Sequence, residues 1–259
     1  MAHKILVLSP LHNIGTTSVA ALINQGLTFD NKESTILFTR NDSVLPQYLG
    51  IQSVQDPTRS IMQIVRLIDN GALEDQDILD YAYVYAKNSY MMNVADPSLT
   101  ERDKSQILEH IYSRIPTDVI VCDNSEPVDS DMTARLIEAC DMIFIVVNTY
   151  VKCKEFLNLW MQMPIFKQYK SKVFLVVNQY DETVSALRNI ARMYNFPANR
   201  VCKIHYNPWI NKCCMTGQLH TVLPLARELD PRVANLNTDI NELIMCINSS
   251  MFMSSKKGL

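Results

Sequence analysis

The feature that most constrains the fold is a set of short apolar runs without polar alternation. They are Lys4 to Leu8, Thr35 to Phe38, Tyr90 to Val94, Val119 to Cys122, Met142 to Val147, Val173 to Val177 and Val201 to His205. Each has strand length, most are rich in Ile and Val, and strands with no polar side belong in a sheet covered on both faces. Segments of helical period separate them. Val19, Leu22 and Ile23 share one face, as do Ile61, Ile64, Val65 and Ile68, with Asp56-Pro57 and Gly71 as boundary signals. Further faces follow at Ile107, Leu108 and Ile111, at Leu136, Ala139 and Cys140, and at Val184, Leu187, Ile190, Ala191 and Tyr194. Repeated β-α-β predicts an α/β fold: a doubly wound, mostly parallel sheet with helices on both faces. Such a sheet binds ligands at the carboxyl ends of its strands.

The 259 residues fit a single domain, expected over 1–253 with a flexible tail at 254–259, and the 47% hydrophobic content is ample for its core. A formal net charge of -3 argues against a whole-protein footprint for nucleic acid. Arg188, Arg192, Arg200 and Lys203 come nearest to a basic patch and read as a solvated face, so DNA binding is not expected. No apolar run approaches the roughly 20 residues of a spanning helix, and the N-terminus does not read as a signal peptide. The seven cysteines are scattered without C-x-x-C spacing, as expected for reduced, buried thiols of a cytoplasmic protein. Cys213 and Cys214 are adjacent, which is awkward for a tetrahedral zinc site. Near the C-terminus, Leu236, Ile240, Leu243, Ile244, Ile247 and Met251 share one helical face. That segment is poor in Lys and Arg until Lys256, so it reads as a closing helix packed on the domain rather than a membrane-surface helix.

The most informative segment is Ile5-Leu6-Val7-Leu8-Ser9-Pro10-Leu11-His12-Asn13-Ile14-Gly15-Thr16-Thr17-Ser18, where a buried strand runs through a loop into a helix beginning near Gly15. A full P-loop, G-x-x-x-x-G-K-[ST], cradles phosphates in backbone N–H groups, neutralises them with Lys and holds Mg²⁺ through the Ser/Thr hydroxyl. Here Pro10 stands at the first glycine and Thr16 at the lysine, while Gly15 and Thr17 remain. The strand Val119 to Asp123 ends in a carboxylate, the Walker B arrangement, although an Asp at a strand end also serves as a turn cap. Asn124-Ser125-Glu126-Pro127 follows, then the strand after Ala139-Cys140-Asp141. Val177-Asn178 ends a later strand, and Tyr206-Asn207-Pro208 opens the loop after the last one. His12 reads as a solvent-facing loop residue, since no nucleophile and orienting carboxylate are recognisable around it.

Together these pieces resemble the ParA/MinD family of deviant P-loop ATPases of the SIMIBI class over nearly the whole chain. Ile78-Leu79-Asp80 and Tyr90-Met91-Met92-Asn93-Val94-Ala95-Asp96-Pro97 look most like the branch holding MinD, TadZ and CpaE. The resemblance implies a nucleotide site at Asn13, Ile14, Gly15, Thr16, Thr17 and Ser18, with Asn178 at the adenine and Tyr206 and Pro208, in the loop after the last strand, as further cofactor-binding residues. It implies Mg²⁺ at Thr17 and Asp123, the latter being catalytic if the protein is active. The sequence departs from the pattern at decisive positions. The family's signature lysine is Leu11, its two glycines are His12 and Asn13, and its phosphate lysine is Thr16. Its hydrolytic Asp, at the end of the second strand, is Thr39, with Asp42 displaced.

Charge-assisted hydrogen bonds from lysine contribute roughly 1.5–3 kcal/mol each, and more where charge develops in a transition state. Their loss leaves backbone N–H groups and a helix dipole, enough for weakly bound ATP or ADP with Mg, or for none. The expectation is therefore a positioning or assembly adaptor that does not hydrolyse ATP. Its partner would be a protein of a positioning, pilus, secretion or partition system, and any homodimer would be nucleotide-independent. The alternative is an active ATPase in which Arg40, Lys4 or a partner's residue replaces the missing charge.

Overall fold

A computed structural model describes every residue except Met1, Asn41, residues 52–60, residues 95–100, Leu229 and residues 256–259; some side chains inside its helices are also outside the description. Asp56-Pro57, Ala95, Asp96 and Pro97 lie outside the described residues, and so does the Ile107 side chain.

The first half of the chain runs β1 (His3–Leu8), α1 (Thr16–Phe29), β2 (Ser34–Phe38), α2 (Leu45–Tyr48), α3 (Ile61–Asp69), β3 (Tyr83–Ala86), β4 (Ser89–Asn93), α4 (Glu101–Arg114) and β5 (Val119–Asp123). It continues through α5 (Asp131–Ala139), β6 (Met142–Val147), α6 (Val151–Gln162), α7 (Pro164–Gln168), β7 (Val173–Tyr180), α8 (Leu187–Met193), β8 (Val201–His205), α9 (Pro208–Thr216), α10 (Val222–Arg227) and α11 (Ala234–Ser255). The strands form one sheet in the order β3-β4-β2-β5-β1-β6-β7-β8, parallel throughout except where β3 pairs antiparallel with β4. All seven apolar runs are strands. Strands β2, β5 and β6 are buried residue by residue, because helices cover both faces of a parallel sheet.

The edge strand β3 has no signal in the apolar pattern. Its residues are half-buried or exposed, and it is attached by a hairpin turning at Asn88, which adopts a left-handed φ of 57°. Two helical faces also differ from expectation. Val184 lies in a turn ahead of α8 and is 69% exposed, since the helix begins only at Leu187. On α5 the buried face is Met132, Thr133, Leu136 and Ile137, which turns Ala139 to solvent. A polar Thr133 at the buried face misled the reading of period.

The long helix α11 packs against β8, α1 and α10. Leu236, Ile240, Leu243, Ile244 and Ile247 are buried there. Gly26 allows α1 to approach: a Cβ at that position would stand 2.6 Å from Ile240 Cγ2 and 3.0 Å from Ile244 Cδ1. Among the described residues no helix is long and apolar enough to cross a membrane.

Candidate functional site

Strand β1 lies in the middle of the sheet, between β5 and β6, so the loop that leaves it opens at the point where the chain's connections diverge. That loop is held by its own chemistry. Ser9 Oγ donates to the Leu11 carbonyl at 2.7 Å and accepts from the Leu11 N–H at 3.2 Å. Asn13 and Gly15 take left-handed φ values of 61° and 88°, which Asn and Gly tolerate best, and α1 starts at Thr16 with Gly15 as its cap. Gly15 also has no room for a side chain, because a Cβ would sit 2.3 Å from Asn178 Nδ2.

A cavity of about 560 Å³ opens over this loop. Asn13, Gly15, Thr16, Thr17 and Ser18 line it together with Leu11 and His12, and the loops after β2 and β5 contribute Arg40, Asp42 and Asn124 through Pro127. Ile14 does not face the cavity; its side chain is buried in the core. Ser18 Oγ meets Cys214 Sγ at 3.6 Å, which ties α1 to α9. The sequence reading missed Tyr48 and Trp160, the aromatic wall of the cavity, because α2 and α6 reach it only through the fold.

Asp123 lies at the end of β5, fully buried, and neither of its carboxylate oxygens has a hydrogen-bond partner among the described residues. Burial pushes its pKa up to about 6, and the neighbouring Thr17 hydroxyl opposes that shift without closing a well-formed hydrogen bond. A turn cap would accept a backbone N–H, and Asp123 accepts none. An orphaned carboxylate beside a helix-start threonine fits a hydrated divalent cation, with Thr17 and Asp123 as the groups that would hold it.

Position 39 is different. Thr39 is buried, and its hydroxyl donates to Asn124 Oδ1 at 3.1 Å. Asn124 Nδ2 donates in turn to Thr133 Oγ1 at 2.8 Å, and Ser130 Oγ closes the chain to Thr133 Oγ1 at 3.0 Å. This neutral network is satisfied without a ligand and has no carboxylate able to take a proton from water. Asp42, on the rim, is bound by Arg40 through Nε at 2.8 Å and Nη2 at 2.5 Å. The one guanidinium lining the cavity among the described residues is thus already paired, and that pairing raises its own pKa and lowers that of Asp42.

Lys4 cannot supply the missing charge. It lies at the opposite end of β1, beside Ile120, with its ammonium 5.2 Å from the Tyr112 ring centroid, whereas the loop begins at Ser9, roughly 16 Å further along the strand. Of the other expected cofactor-binding residues, Asn178, Tyr206 and Pro208 are not among those lining the loop cavity. Asn178 Nδ2 donates to the Ile14 carbonyl at 2.7 Å, which makes it a buttress of the loop. Tyr206 and Pro208 are exposed and line a separate cavity of about 240 Å³ with His205, Arg232 and Asn235. Two of the basic residues after β7 have partners: Lys203 lies 3.8 Å from Glu242, and Arg200 donates to the Lys170 carbonyl.

No family model and no curated protein sequence matches the chain. Solved structures do. The MinD cell division protein of Aquifex aeolicus superposes with a TM-score of 0.67 at 16% identity, covering 94% of this chain and 97% of that one. A ParA family ATPase from Chlorobium tepidum gives a TM-score of 0.69 at 13% identity over 91% and 97%. The septum site-determining protein MinD of Pyrococcus horikoshii, solved with Mg-ADP, gives 0.66 at 15% identity over 94% and 96%. The chain has the fold of the MinD and ParA P-loop ATPases, over nearly its whole length.

Proposed function

We propose that this protein is a ParA/MinD-like positioning or assembly adaptor that keeps the nucleotide-binding scaffold and has lost the ATP cycle. The observation that supports this reading is the inventory of charges around the loop cavity. Thr16 and Leu11 stand where lysines would meet a triphosphate, and Arg40 is committed to Asp42. A terminal phosphate here would meet a helix dipole and backbone N–H groups, which suit an anion but not the charge developed in phosphoryl transfer. Thr39, in place of the family's acid, already has its hydrogen bonds made. The protein would therefore act through binding a protein partner in the cytoplasm, and any self-association would not depend on ATP.

The orphaned Asp123 supports weak retention of a magnesium nucleotide rather than an empty fold. When bound, the ion would neutralise phosphate charge and orient its own water ligands. Thr17 and Asp123 would hold it, and the loop N–H groups after Asn13 would face the phosphates. Calorimetric titration with ATP and ADP in Mg²⁺, alongside phosphate release and sizing, tests the reading. Expected are weak binding, no turnover and an elution volume indifferent to Mg-ATP. Turnover abolished by Thr17→Ala and Asp123→Ala, or an ATP-driven shift to dimer, would overturn it.

A further inference from the structure

Strand β8 is an edge of the sheet, and α11 lies along it. Three side-chain pairs cross that seam in succession. The His205 backbone N–H donates to Asp239 Oδ2 at 2.8 Å, and its Nδ1 is 2.9 Å from Oδ1. Lys203 Nζ lies 3.8 Å from Glu242 Oε2, and Cys202 Sγ lies 3.6 Å from Cys246 Sγ. Positions 239, 242 and 246 are spaced by three and four residues, so one face of α11 carries all three rungs. The two polar rungs fix the register, and the register sets two thiols against each other. Cys202 is buried and Cys246 only partly so, which lets a small oxidant reach one sulfur before the other.

We propose that Cys202 and Cys246 are a reversible oxidation site, at which a peroxide closes an intramolecular disulfide that locks the C-terminal helix to the sheet edge. The Cys246 thiolate attacks a peroxide oxygen; the O–O bond breaks, a sulfenic acid forms and the departing hydroxide takes up a proton as water. The Cys202 sulfur then attacks the sulfenic sulfur, the S–O bond breaks and its oxygen leaves as a second water with the Cys202 proton. Two thiols lose two electrons, and the peroxide gains them. A small dithiol reverses the step. The division of labour matches the electrostatics: the hydrogen bond from Cys202 draws Cys246 down to about 7, and the same shared contact, with burial, pushes Cys202 far up. The sulfurs, 3.6 Å apart, must approach to roughly 2.05 Å. Locking α11 also fixes Ile240 and Ile244, against which Gly26 of the loop-bearing helix rests.

The test uses the full chain with a few equivalents of hydrogen peroxide, alkylation of the remaining thiols, digestion and peptide mapping. A Cys202–Cys246 crosslink is expected, with the other five cysteines alkylated and full reversal by dithiothreitol. The oxidised protein should melt several degrees higher than the reduced one. Cys202→Ser should leave Cys246 as a sulfenic acid trapped by dimedone, and Cys246→Ser should leave Cys202 alkylatable. If either variant fails to fold, the map of the unaltered chain decides. Over-oxidation of Cys246 beside a free Cys202, or crosslinks among other cysteines instead, would overturn the proposal.

Discussion

The loop cavity and the β8–α11 seam both bury a carboxylate at the margin of the apolar sheet, and they treat it in opposite ways. At the seam, Asp239 has no exposed surface, yet it accepts the His205 N–H and faces the imidazole. At the cavity, Asp123 is just as buried and accepts nothing among the described residues. Burying an unpartnered carboxylate opposes folding, whereas burying a paired one holds two elements in register. The difference separates a carboxylate kept for structure from one kept for something that binds.

The largest expected effect is at the seam. Asp239→Ala strands the His205 groups and should lower stability by about 3–5 kcal/mol in urea unfolding, the usual result of removing one partner of a buried pair. A loss below about 1 kcal/mol would erase the contrast. Asp123→Asn should act with the opposite sign. A carboxyl whose folded pKa is raised to about 6, from an ordinary value near 4, holds its proton more tightly when folded, so its contribution worsens as pH rises from 4 through 6. The variant should be more stable than the parent by up to about 3 kcal/mol at pH 8, at about 1.4 kcal/mol per pKa unit, and no more stable near pH 4. Urea midpoints at the two pH values measure this. Mg-ADP should raise the midpoint of the parent and leave that of Asp123→Asn unmoved, which distinguishes a ligand site from a strained residue.

Gly26→Val probes the link between the two regions. Its side chain would press on Ile240 and Ile244, and overpacking of this kind costs about 1–3 kcal/mol, read as a lower melting temperature. Smallest is Arg40→Ala. The Arg40–Asp42 pair is open to solvent, so the unfolding midpoint should not move measurably. Its informative readout is nucleotide affinity, which should stay unchanged if Asp42 already consumes the charge.

Much of the fold, and the charge deficit at the loop, are legible in the chain itself. Strands β1, β2 and β5 announce themselves because central parallel strands have no wet face, and the absence of lysine at positions 11 and 16 is a fact of the chain. The strand β3 was illegible because an antiparallel edge strand is half-exposed and has little apolar signature. Thr133 concealed the buried side of α5 because a polar residue can be buried once Asn124 binds it, and that partner comes from another strand. Asn178, expected to end its strand, lies within β7, which runs on to Tyr180; only the packing shows that it grips the loop while Tyr206 and Pro208 line a separate cavity.

The order of apolar and polar residues along the chain determined the α/β architecture and the shortage of positive charge at its loop, because burial preference and side-chain charge belong to each residue wherever it lies. Which buried polar groups find partners was decided only when distant segments met: Thr39 with Asn124, His205 with Asp239, Cys202 with Cys246, and Asp123 with none among the described residues. Hydrogen bonds reach about 3 Å, and no local pattern specifies a contact at that range between residues tens of positions apart.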